Sequence, residues 1–408
     1  MKKIIVMFLI VFASMSFIAC QKEDKVQAFD LSQASWEDIL KEARGTSVSF
    51  YGWGGSQRVN EWLDNEVADY LYNQYEIKLD RVPMNIDEIL NKLLGEKQLD
   101  AEGTIDVVWI NGENFSTAKS NDLLYGSFTD KLPNFKKYVD SDSREANFDF
   151  GYSIDGYEAP FGKAQFVLIA DGNEVELPRN HEALKKFVME NPGMVTYPAL
   201  PDFVGSAFVR NIIYDVVGFE TVKDLPDDKE AVREAIQPAI DYLLDLKPYL
   251  WQEGRTYPAT SALLDNMYSD GEVLLTMTYN PNHVAGKIQT SEFKESSQAF
   301  LFDKGTIGNT HYLAIADNGK NKAAALVLIN AILSPELQAS KYDPELWGDL
   351  PVLDNSKLSE EEKEIFNSIP LGKGVPSQEE LLEKRVPELP VYLIPHIEEI
   401  WMETIPGE

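Results

Sequence analysis

The residues best equipped for chemistry in this sequence are ring faces, amides freed by glycine, and carboxylates, gathered at a few loop positions. Trp53-Gly54-Gly55-Ser56 sets an indole beside two glycines, which permit close backbone approach and leave N–H groups to donate. A dinucleotide fingerprint would need its third glycine where Gln57 stands, so no cofactor is expected. Asn111-Gly112-Glu113-Asn114 offers amides and a carboxylate that can orient polar groups, although Asn and Glu are also ordinary helix-start residues. Asp202-Phe203, followed by Gly205-Ser206, repeats that combination with the same alternative of a cap. Tyr279-Asn280 presents a ring that can stack on a small molecule or pack in a core. Asn309 beside Gly308, and Trp347 near Asp349, complete the candidate ligand-binding set, with Phe161 and Gln165 as further wall residues. A ring face attracts a cation by roughly 0.5 to 2 kcal/mol and a carboxylate adds directional pairing, so the set suits a small polar, cationic solute. The same residue types also stack on and hydrogen-bond to neutral sugars.

Other chemistries find little support. The four histidines, His181, His283, His311 and His396, form no His-x-x-x-His pair, and there is no Gly-x-Ser-x-Gly elbow, so no catalytic residue is assigned. Carboxylates abound through composition alone and cannot argue for a glycosidase pair. Ferric iron suits phenolates, and no Tyr-Tyr dipeptide occurs, so no metal site is expected. With 67 acidic against 37 basic residues, the chain is poorly suited to nucleic acid or to direct adhesion on anionic lipid.

The elements that must position these residues alternate. Val48 to Trp53 reads as a strand, followed by a helix whose Val59, Trp62, Leu63, Val67, Tyr70 and Leu71 recur at three and four residues. Ile77 to Val82 is the next strand, Asn85 caps a second helix, and Ile105 to Ile110 is a third strand. Three such units in sequence imply a parallel, doubly wound sheet. Phe166 to Ala170 reads as a crossing into a second α/β unit. That unit has helices near 183–190, 205–217 and 229–250, the last bent at Pro238, and strands at Val195 to Pro198 and Val273 to Tyr279. Thr310 to Ala316 is a second crossing, Ala323 to Leu333 a buried helix, and Ser334-Pro335 the capped start of another. A chain of 408 residues exceeds what one core usually serves.

The first twenty residues stand apart. Lys2 and Lys3 precede an apolar run from Ile4 to Ile18, too short for a typical membrane span and patterned as a signal peptide. Phe17-Ile18-Ala19-Cys20 resembles a lipobox, with Phe17 where leucine is usual; Cys20, the only cysteine, is the expected lipidation site. Diacylglyceryl and palmitate chains there would give stable anchoring to the membrane through lipid alone.

Taken in order, several segments resemble the extracellular solute-binding proteins of bacterial ABC importers, of the maltose-binding-like family 1 type and its YnjB-type branch. They are Phe50-Tyr51-Gly52-Trp53-Gly54-Gly55, Trp109-Ile110-Asn111-Gly112-Glu113-Asn114-Phe115, Pro201-Asp202-Phe203-Val204-Gly205, Tyr279-Asn280-Pro281, Ile307-Gly308-Asn309, Leu333-Ser334-Pro335-Glu336 and Leu346-Trp347-Gly348-Asp349. The resemblance spans residues 36 to 404 and implies a two-lobed periplasmic-binding-protein fold (type II), each lobe α/β with a doubly wound, mostly parallel sheet, joined by crossover strands. The expected layout is a signal peptide over 1–19 and a lipidated tether over 20–34. Lobe I takes 35–160 and 281–310, and lobe II takes 165–278 and 316–408. The implied role is capture of a small-molecule solute, thiamine-like or polyamine-like if cationic, for an ABC permease and its ATPase subunit. The carrier would be a monomer without cofactor or enzymatic activity, held at the cell envelope on the outer face of the plasma membrane or on its periplasmic side.

Overall fold

The computed structural model describes residues 30–370 and 372–405, so the signal-peptide and Cys20 expectations lie outside the described residues. Residues 30–35 form a separate short stretch in which Asp30 accepts from the Ser32 amide at 3.0 Å.

From Trp36 onward the strands in chain order are β1 Ser47–Gly52, β2 Lys78–Pro83, β3 Val107–Ile110, β4 Leu124–Tyr125, β5 Phe148–Asp149 and β6 Tyr152–Ser153. They continue as β7 Glu158–Gln165, β8 Val167–Asp171, β9 Leu275–Thr278, β10 Ser297–Phe300, β11 Thr306–Ala316 and β12 Arg385–Pro387. The first sheet runs β12-β11-β3-β1-β2, with β4 and β7 also paired to β11. β1 lies parallel to β2 and β3, with Val48 opposite Leu79 and Phe50 opposite Val107. β11 is antiparallel to β3 and β7 and carries a bulge between His311 and Tyr312. Two helices pack on this sheet: Ile86–Gln98, which buries Ile89 and Leu93 and is closed by a capping box of Asn85 and Glu88, and Lys322–Ile332, every residue of which from Ala323 on is buried.

The second sheet is three-stranded, β10-β8-β9. Both pairings are antiparallel, with Val167 opposite Thr278 and Phe300 opposite Leu168, where a mostly parallel sheet was expected. The cause is the direction of travel. β8 carries the chain away from the first sheet, whereas β9 and β10 both lead back toward it; the Gln165 amide donates to the Tyr279 carbonyl at 2.9 Å, and β10 runs on into β11. The expected strand over Val195 to Pro198 joins no ladder; its Val195 carbonyl accepts instead from Trp251 at 2.8 Å. The helix Lys229–Leu246 continues through Pro238 and packs with the C-terminal helix Leu393–Thr404 over the second sheet.

The expected partition of the chain also moves. Residues 297–300, expected in lobe I, are β10 of the second sheet, and the return to the first sheet begins at Thr306. The helix Lys322–Ile332, expected in lobe II, packs against Trp36–Ala43 and β1. A helix apolar on all sides needs cover on all sides, and the first sheet together with the helices Trp36–Ala43, Ala68–Tyr75, Pro133–Tyr138 and Pro335–Tyr342 supplies it.

Candidate functional site

Two of the predicted rings are exposed, Trp53 at 53% and Phe203 at 47%, and each rests on a chain of less exposed partners. Trp53 follows β1 and meets Trp109 of β3 edge-on, with centroids 6.4 Å apart. A Cβ on Gly55 would fall 2.4 Å from the Trp53 ring, and one on Gly54 2.4 Å from Pro83, so both glycines serve close packing. Ser56 caps the helix that follows, accepting from the Val59 amide at 3.5 Å. Trp109 packs on Phe161 at 5.4 Å, His311 at 5.2 Å and Trp347 at 5.8 Å. Trp347 is thus a buried wall residue, stacked on His311 and placed under the Lys341 ammonium at 5.5 Å. Lys341 and Asp349, both buried, pair at 2.7 Å, and His311 lies 3.4 Å from Asp349. Burial would raise the Asp349 carboxyl, but Lys341 and His311 outweigh it and hold the group below the usual carboxylate range.

The first turn of the helix Gly112–Ser120 forms a second group. Asn111 is its N-cap residue and donates through its side chain to Asn309 Oδ1 at 3.5 Å. The Gly112 amide is taken by the buried Asp149 carboxyl, which burial pushes well above its ordinary pKa. Gly112 has φ +59°, a left-handed conformation that favours glycine. Glu113 is exposed and Asn114 half-buried.

On the second sheet, Asp202 caps the helix Phe203–Val216. Its Oδ1 accepts from the Val204 and Gly205 amides, each at 3.0 Å, and Oδ2 from Ser261 at 3.2 Å. The Phe203 ring lies 4.9 Å from that of Tyr279, which is buried. The Tyr279 hydroxyl donates to Glu388 at 2.7 Å, and Glu388 receives Arg210 in a bidentate pair at 3.1 Å for both contacts. Arg210 also donates to Ser206 at 2.5 Å, and Ser206 to Glu398 at 2.6 Å. Burial raises the Glu398 carboxyl; Ser206 and Arg210 oppose this, and the charge of Glu113 adds to it. Asn280 folds a turn, its Oδ1 accepting from Asn282 at 2.9 Å.

The predicted residues therefore fall into two sets. Phe203 and Tyr279 lie with Glu388 and Arg210, Asn309 borders one cavity with Glu388 and holds Asn111, and the charge of Glu113 acts on Glu398, while Trp53 and Trp347 are joined through Trp109. Asp202, Asn280 and Ser56 are occupied by local backbone. Trp109, Arg210, Glu388 and Glu398 were not singled out as ligand residues in the sequence. The signal for Arg210 is visible there: a guanidinium in the apolar run Phe203–Val216 must find an anion.

Comparison with known proteins gives a consistent picture. Residues 67–366 match a family described as bacterial extracellular solute-binding protein. The chain is 36% identical over 340 residues to protein YnjB of Escherichia coli K12, covering 82% of this chain and 87% of that one. Among solved structures, an ABC transporter protein from Clostridium perfringens superposes with a TM-score of 0.61 at 19% identity, over 88% of this chain and 98% of that one. The spermidine/putrescine ABC transporter substrate-binding protein PotD from Streptococcus pneumoniae does so with a TM-score of 0.60 at 14% identity, again over 88% and 98%. At these identities the two structures speak for a shared fold.

Proposed function

The chain belongs to the bacterial extracellular solute-binding protein family, and from that premise we propose that it is lipid-anchored at Cys20 and closes two lobes around a small cationic solute. The substrate-binding component of an ABC transporter binds a small-molecule solute at the cell envelope and works with a permease and its ATPase, without enzymatic activity. The lobes are assigned to the two sheets, with the passages at 165–167 and 302–306 as the crossings about which they close. The monomer carries its own site, and membrane contact is through lipid alone.

The observation that carries the solute class is the half-buried Glu398 carboxylate, held by Ser206 beside an exposed Phe203 ring, with the charge of Glu113, on the first-sheet side, acting on it. Phe203 and Ser206 are three residues apart on one helix, so the ring and the Glu398 carboxylate that Ser206 holds share a face. Two like charges near a ring face are relieved by an organic cation. Asp202 and Asp349 contribute less, because backbone amides and Lys341 already engage them. Thiamine-like and polyamine-like compounds fit this description.

The test is a thermal-shift and calorimetric screen of the full chain in detergent against organic cations, neutral sugars and amino acids. Cations should raise the melting temperature and lose affinity in Glu113→Gln and Glu398→Gln. Stabilisation by sugars alone, or cation binding indifferent to both changes, overturns the solute class. Cys20→Ser should release the protein from membranes with solute binding intact; retention at the membrane would remove the anchor.

A further inference from the structure

Beside Glu388 is a cavity of about 200 Å³ bordered by β11, β12 and the segment 144–151. It shares Asn309 with the candidate site and reaches Tyr279 through Glu388. Its lining contains a donor in want of an acceptor: Asn309 is 3% exposed, and its Nδ2 has no hydrogen-bond partner. Burying such a group unpaired is costly, so a site that supplies an acceptor regains that cost. Arg144 lines the same cavity and makes no ion pair or side-chain hydrogen bond among the described residues. Arg385 spends one N–H on the Ala164 carbonyl and one on that of Asn309, each at 2.7 Å, and keeps others of its five.

Three acidic residues also line the cavity, and each is already accounted for. Both Glu388 oxygens are held by Arg210. Glu145 lies 3.8 Å from Lys163 and 3.9 Å from Arg385. Asp149 is buried, accepts from the Gly112 amide and is pushed by burial toward its neutral form. Arg144, whose charge also bears on Glu145, holds no ion pair of its own among the described residues.

We propose that this cavity receives an oxyanion borne by the solute, so that the natural solute is bipolar: an organic cation carrying a carboxylate or a phosphate. Asn309 and Arg144 hold the anion, and Glu113 and Glu398 hold the cation. The proposal rests on the solute-binding reading and names the substrate class of that same site.

Calorimetry on the full chain in detergent tests it with matched pairs: propylamine and β-alanine, choline and phosphocholine, thiamine and thiamine monophosphate. In at least one pair the anion-bearing member should bind about tenfold tighter or more, the factor that one charge-assisted hydrogen bond supplies. β-Alanine against the phosphates separates the two anion types. Arg144→Gln, at an exposed position, should erase the gap while leaving the plain cation's affinity unchanged, with Arg144→Lys restoring part of it; Asn309→Ala should erase the gap as well. Plain cations binding as tightly as their partners throughout, or a gap that survives both substitutions, overturns the bipolar assignment alone. No binding by any member of any pair overturns both it and the cationic solute class.

Discussion

Removing Glu388 should unsettle the second-sheet side of the site more than any exposed change. Arg210 is 1% exposed and Glu388 4%, and the pair is bidentate, so Glu388→Leu leaves a buried guanidinium with only the neutral Ser206 and Tyr279 hydroxyls as hydrogen-bond partners. Breaking a buried pair from one side costs about 3–5 kcal/mol, whereas replacing both partners with apolar residues is often neutral. With an unfolding entropy of about 2.1 cal/mol/K per residue over roughly 370 residues, that loss lowers the melting temperature by about 4–6 °C. Arg210→Leu should cost as much, and the double variant Arg210→Leu/Glu388→Leu should recover most of it. Calorimetric melting of the four proteins completes the cycle. A single-variant loss under about 1 °C, or a double variant no more stable than either single, would refute the reasoning.

Three further outcomes follow from local geometry. Asp202→Ala should cost about 1 kcal/mol of stability in denaturant titration, the usual loss of a cap, with solute affinity within about twofold; a large affinity loss would return Asp202 to the ligand set. Gly55→Ala places a Cβ against the Trp53 ring and should weaken solute binding about fivefold or more with little change in melting temperature, an interaction of ring-face size; unchanged affinity would remove Trp53 from the site. The Tyr138 hydroxyl and the Ser359 amide, accepted at 2.5 and 2.7 Å, bring the Glu362 carboxyl down from 4.5 to about 2. A depressed pKa gives stability that is complete above 4.5 and lost as the pH falls toward 2, so the melting-temperature gap between the protein and Glu362→Gln should close across that window; a constant gap would contradict it.

Periodicity placed the helices well because their buried stripes are local facts. Ser334 does accept from Leu337, with Pro335 at the first helical position, and Asn85 does cap Ile86–Gln98. What no local pattern carried was strand direction: β8 and β9 look like any apolar run, Ser297–Phe300 is half polar and shows no strand pattern, and only the order of crossings makes the three antiparallel. The candidate site was legible by residue type but not by occupancy. Asp202 and Glu113 are equivalent as letters, yet three backbone amides occupy one while the other stays exposed. Glu398 and Glu388 lie more than a hundred residues from the loops they serve, and nothing in their immediate sequence joins them to Tyr279 or Glu113.

Trp53 and Phe203 share one construction, and it bears on how such a site selects a solute. Trp53 leans on Trp109, which packs against Trp347 beside the buried Lys341–Asp349 pair; Phe203 leans on Tyr279, whose hydroxyl is fixed by the buried Arg210–Glu388 pair. Gly162 is part of the first of these, since any Cβ there would fall 2.0 Å from an Asp349 oxygen. A buried ion pair contributes little net stability over apolar residues, but it fixes direction, because each charge must meet its partner at one angle and distance. A ring resting on such a support loses less freedom when a solute arrives, and binding keeps more of its contact energy. Selectivity then depends on residues that never touch the solute: replacing Lys341–Asp349 with apolar partners should leave the fold standing while widening the range of solutes bound.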